Sequence, residues 1–83
     1  IQRWAENQTF IALGQILLAA GIEGIDATPI GGFDEAILTQ ELQLTEQGLI
    51  PSVLLCLGYR SEQDFNAKLP KSRLDKREIF THL

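Results

Sequence analysis

The stretch "NAKLPKSRL", residues 66–74, holds the densest chemistry in the chain. Lys68, Lys71, Arg73, Lys76 and Arg77 place five of the seven Lys+Arg residues within ten positions. Residues 1–67 carry only Arg3 and Arg60 against nine Asp+Glu, and the whole chain stands at −4. Lys71 and Arg73 are two apart, so on an extended chain both point to one side and can close on one anion. Pro70 stiffens the approach. Arg offers a planar donor fork suited to phosphate, and Lys adds a mobile point charge. Nucleic acid is a poor partner, because the rest of the chain is acidic and no aromatic residues interleave with the cations. Two readings stay open on composition alone: a clamp for a single phosphate monoester, or a solvated charged tail.

The second special stretch is "TPIGGF", residues 28–33. Paired glycines after a proline expose main chain at close range, with no Cβ in the way. A phosphate loop is disfavoured, since neither the Walker spacing nor a complete GxGxxG is present. Asp34, as the cap of a following helix, occupies the free amides and repels phosphate. Pro29, Ile30, Gly31 and Gly32 read instead as main chain laid against a flat, mostly neutral ligand, with an ordinary strand-to-helix turn as the local alternative. Other reactive types carry little. One Cys and one His cannot make a metal site. His82 has no nucleophile that spacing singles out, Cys56 reads as an inert core thiol, and Trp4 reads as core. The carboxylates show no spacing that marks an acid–base pair, so no catalytic side chain is assigned.

Five pieces must position these groups. Residues 1–20 read as a helix stopped by Gly21. Its second half is apolar on nearly every side, the pattern of a buried helix. Residues 24–30 read as a short strand, with Pro29 at its end or edge. A short helix follows over 35–42, with Asp34 as N-cap. "SVLLCLGY", residues 52–59, reads as a strand covered on both faces. Residues 60–83 read as a polar, irregular tail. Eighty-three residues allow one small domain or part of a larger one, and a chain this short buries only roughly 60% of its unfolded surface. A buried helix and a doubly covered strand need more cover than one short helix and a tail supply. Another subunit, more of the same polypeptide, or both are expected to supply it. A start at Ile1 with no methionine points to a fragment or a processed chain. No apolar run reaches the roughly 18 residues of a membrane span, and a single thiol fits a reducing, cytoplasmic setting.

"ALGQILLAAGIEGIDATPIGGFD" followed by "LCLGYRSEQDFNAKLPKSRL" resembles the C-terminal part of the oxygen-insensitive NAD(P)H nitroreductases and dihydropteridine reductases, FMN enzymes of the nitroreductase family. The resemblance implies an α+β fold, a mainly antiparallel sheet wrapped by helices in an intertwined homodimer. Residues 1–83 would form the C-terminal portion of a single domain, and 60–83 an extended tail that binds the FMN phosphate and exchanges across the dimer. Two FMN molecules would sit at the interface, and the remaining FMN contacts would come from an N-terminal half. Lys71 and Arg73 match the positions that hold the FMN phosphate; Lys68, Lys76 and Arg77 are not carried over. Pro29, Ile30, Gly31 and Gly32 match the segment lying on the isoalloxazine ring, where a backbone N–H approaches flavin N5. The family often has Glu where Gly31 stands, so the main-chain donor survives and the carboxylate is lost.

The implied activity is hydride transfer from NAD(P)H to FMN, then two-electron reduction of a nitroaromatic, quinone or dihydropteridine-like acceptor. These 83 residues alone are expected to be inactive. Two rivals from other classes are a nucleotide-phosphate-binding module without redox chemistry and a purely structural dimerisation piece.

Overall fold

The computed structural model describes residues 1–83. In chain order it runs α1 (Gln2–Ile22), β1 (Asp26–Ile30), α2 (Glu35–Glu41), β2 (Leu54–Gly58) and α3 (Lys76–Ile79). Single 3₁₀ turns lie at Thr45–Gln47 and Phe65–Lys68. β1 and β2 form an antiparallel pair in the register Asp26↔Gly58, Thr28↔Cys56, Ile30↔Leu54.

α1 ends at Ile22, two residues later than Gly21 predicts. Gly24 takes the left-handed conformation at φ 73°. Its N–H donates to the Gly21 carbonyl at 3.3 Å, and the Ile25 N–H donates to the Ala20 carbonyl at 2.8 Å. That pair of bonds is a Schellman motif, in which the residue just past the cap must be left-handed. Gly21 sits inside the last turn, where a glycine is tolerated at a modest cost.

Leu13, Leu17 and Ala20 are the half-buried or buried positions in the second half of α1. Their spacing of four and three marks one helix face, and β1 is the element that α1 packs against. Ala20 is the one fully buried residue of the chain. Phe10, Ile11, Ile16 and Leu18 on the other faces stand open. The helix that reads as buried all round is therefore seated on one face only within these residues. β2 is likewise half covered. Leu54 and Leu55 are partly buried, whereas Cys56 and Leu57 are exposed, so Cys56 is not the core thiol expected from its apolar neighbours.

α2 starts as the sequence predicts. The Asp34 carboxylate accepts the Ile37 N–H at 3.1 Å, which satisfies one of the helix's orphan donors. Leu42 caps the other end, and a Gln at φ 53°, Gln43, takes the left-handed position that follows.

The tail is not uniformly irregular. Asp64 caps the 3₁₀ turn by accepting the Asn66 N–H at 3.0 Å, and Asp75 caps α3 by accepting the Arg77 N–H at 2.8 Å. No residue from 60 to 83 is buried.

Candidate functional site

β1 leads directly into the glycine turn. Pro29 and Ile30 are its last two residues, paired with Leu55 and Leu54, and Gly31 and Gly32 follow outside it. The pairing with β2 fixes the path of this backbone up to Ile30. Neither glycine has a positive φ. A Cβ built at either one meets nothing within 4 Å. The turn therefore requires no glycine for its own backbone, and its main chain lies open to a ligand.

The clamp residues separate. A cavity of about 420 Å³ is lined by β1 residues Asp26, Ala27 and Thr28, by Arg60 and by tail residues that include Asp64, Asn66, Lys71 and Ser72. Lys71 thus shares this cavity with the first three residues of β1, the strand that ends in Ile30. Arg73 does not line it, and its guanidinium donates to its neighbour's carbonyl, Ser72 O, at 2.7 Å. Pro29, Ile30, Gly31 and Gly32 also lie outside its lining. These residues bring one predicted cation to β1, and leave the second cation and the flat-ligand segment at the margins.

Two salt bridges occur in the chain, Arg60–Asp26 and Arg77–Asp75. Lys71 is consequently a cation without a carboxylate partner, and so is Arg73. Arg77, by contrast, is paired with Asp75, the cap of its own helix. Lys71 with Ser72, Asn66 and Thr28 gives the cavity wall the donors that a phosphate needs. The same wall carries the carboxylates of Asp64 and of Asp26, the latter paired with Arg60, and the main chain at Gly31 and Gly32, next to β1 in sequence, stands open.

The pair that the sequence reading missed is Asp26–Arg60. The Arg60 Nε donates to both Asp26 carboxylate oxygens at 3.1 Å, its terminal nitrogen reaches Oδ1, and its backbone N–H donates to Oδ2 at 2.9 Å. These side-chain and backbone bonds from Arg60 hold the Asp26 carboxyl at about 2, below its ordinary 3.8. The two residues lie 34 apart in sequence. Only the strand register, Asp26 opposite Gly58, could have suggested that they meet. No group of three or more His, Cys, Asp and Glu lies together to hold a metal, and no helix is long and apolar enough to cross a membrane.

An antiparallel strand pair with a helix packed on it, and a glycine turn at the end of the first strand, make an α+β arrangement. The family profile described as "Nitroreductase family" matches residues 1–59. The chain belongs to the nitroreductase family, and its α+β elements are part of the nitroreductase fold.

The oxygen-insensitive NAD(P)H nitroreductase of Enterobacter cloacae is 46% identical over 79 residues, 95% of this chain and 36% of that protein. The enzyme of the same name from Salmonella typhimurium is 40% identical over 81 residues, 98% of this chain and 37% of its own length. The major NAD(P)H-flavin oxidoreductase of Aliivibrio fischeri is 33% identical over 81 residues, 96% of this chain and 37% of its own length. The chain therefore spans a little over a third of these relatives. Lys71 and Arg73 lie beyond the family-profile match, which ends at residue 59, but within the 98% matched to the Salmonella enzyme.

Proposed function

We propose that this chain is the C-terminal portion of a single nitroreductase domain, an FMN-dependent NAD(P)H oxidoreductase acting on nitroaromatic, quinone or dihydropteridine-like acceptors. Residues 60–83 form its phosphate-binding and dimer-exchange segment, and a homodimer with FMN at the interface completes the site. The observation that carries this reading is Lys71, a cation without a carboxylate partner that lines a cavity together with β1. The relatives' names, NAD(P)H nitroreductase and NAD(P)H-flavin oxidoreductase, support the same chemistry.

Lys71 and Arg73 hold the phosphate by charge-assisted bonds. Arg73 has only to exchange its bond to the Ser72 carbonyl for one to phosphate. Pro29 to Gly32 would supply a wall without side chains at Gly31 and Gly32, and the Gly31 N–H would be its donor to the ring. A bound flavin would supply the two-electron redox chemistry between NAD(P)H and the acceptor. No side chain of this chain is needed as an acid, base or nucleophile.

The test is an absorption experiment on the intact protein, prepared with FMN and without oxygen. NADH or NADPH should bleach the oxidised flavin band, and a nitroaromatic or quinone should restore it. FMN bound but never reduced by either nucleotide would support a non-redox phosphate-binding module. No FMN binding at all would leave a structural piece.

A further inference from the structure

The cation that the proposed function depends on sits on a segment with no buried residue, so something must hold it in place. The tail leaves β2 at Gly58 and is fastened two residues later, where Arg60 grips Asp26 through its backbone N–H and its guanidinium. Asp26 is the first residue of β1 and stands opposite Gly58, so the grip closes onto the sheet itself. Beyond Arg60 two tight turns follow. Asp64 N–H donates to the Ser61 carbonyl at 3.1 Å, Gln63 N–H donates to Ser61 Oγ at 3.1 Å, and Asp64 caps the turn at Phe65–Lys68. Pro70 then limits the chain just before Lys71. These steps bring Leu69 to Ser72 back against Asp26, Ala27 and Thr28, with Arg60 and Asp64 in the same cavity wall.

We propose that the Asp26–Arg60 pair is the positioning device of the phosphate clamp: it sets the direction in which residues 61–72 leave the sheet, and so places Lys71 beside β1. Arg60 acts through Lys71: its Nε and one terminal nitrogen are engaged by the Asp26 carboxylate, which also balances its charge. The inference rests on the reading of Lys71 as a phosphate cation.

The experiment compares FMN with riboflavin, which lacks the phosphate, on the intact apoprotein. The quantity read is the ratio of the two dissociation constants, the phosphate's share of affinity. Lys71→Ala should lower the ratio by about tenfold or more. Arg60→Ala should lower it by a similar factor, and the double variant should fall little further than Lys71→Ala alone, since residues acting through one contact are not additive. Arg60→Lys keeps a charge but not the fork, and should lower the ratio severalfold; this variant decides the matter where Arg60→Ala does not fold.

If Lys71→Ala leaves the ratio unchanged, the clamp reading fails and this inference goes with it. If Lys71→Ala lowers the ratio and neither Arg60 variant does, the positioning role alone is wrong. Equal weakening of FMN and riboflavin would reduce Arg60 to a general structural role, and additive losses would make it a direct phosphate ligand; either overturns the proposal.

Discussion

Gly31 is the residue at which one atom can be tested. Its φ lies outside the left-handed region and a Cβ there meets no neighbour, so a side chain is allowed by this chain. Gly31→Glu keeps the backbone N–H and should retain FMN and its reduction. Gly31→Pro removes the donor and fixes φ near −65°. It should slow flavin reduction by NAD(P)H about tenfold or more, the scale of one lost donor near a reacting atom. Stopped-flow bleaching of the flavin band reads both, and equal rates would make the segment only a pocket wall.

Asp26 gives a pH test. Its folded pKa of about 2 lies below the ordinary 3.8, so the ionised form favours the folded state. That contribution is complete above about 4 and is lost as pH falls toward about 2. The urea midpoint of the intact protein should exceed that of Asp26→Asn above this window, and the two should converge within it. Both partners are partly exposed, so the gap should be small and shrink further with salt. A gap unchanged through the window would show that the ion pair does not stabilise the fold.

Lys71 and the open glycine turn were legible at this scale, because charge density and paired glycines are local signals. Asp26–Arg60 was not: it is a contact across strands, and no spacing announces it.

At the scale of elements, the helices and strands were readable from periodicity and their ends less so. Asp34 caps α2 as a short polar residue before an apolar face should. The stop of α1 was misplaced because the chain holds two glycines near it, and only the left-handed backbone at Gly24 distinguishes them. Gly24→Ala should therefore cost about 1–2 kcal/mol, the penalty for a left-handed non-glycine residue, whereas Gly21→Ala should be neutral or stabilising. Chemical denaturation of the intact protein compares them. A greater loss at Gly21 would contradict the Schellman assignment. The tail was under-read for the opposite reason, since its Asp64 and Asp75 caps order short turns too brief to leave a periodic pattern.

The molecule as a whole explains why the apolar residues could not be assigned to a core. The chain exposes 7851 Å², whereas a compact globule of 9.2 kDa exposes about 4,900 Å². Its radius of gyration is 16.2 Å, against about 12 Å for a compact domain of this length. The difference, with Phe10, Ile11, Ile16 and Leu18 open on α1 and Leu57 open on β2, is surface that needs cover. The apolar runs predict burial, and within these residues most of them stay exposed. Residues 1–83 made alone should be molten, aggregated or bound to a partner. A sharp cooperative melt of a monomer would contradict this.

On the proposed function, Lys71 and Arg73 in the tail serve one cofactor phosphate. Equilibrium titration of the intact apoprotein with FMN, wild type against Lys71→Ala/Arg73→Ala, tests it most directly. Each charge-assisted bond lost is worth about 1.5–3 kcal/mol, so affinity should fall by about one to two decades per residue. An FMN affinity unchanged in the double variant would contradict the account.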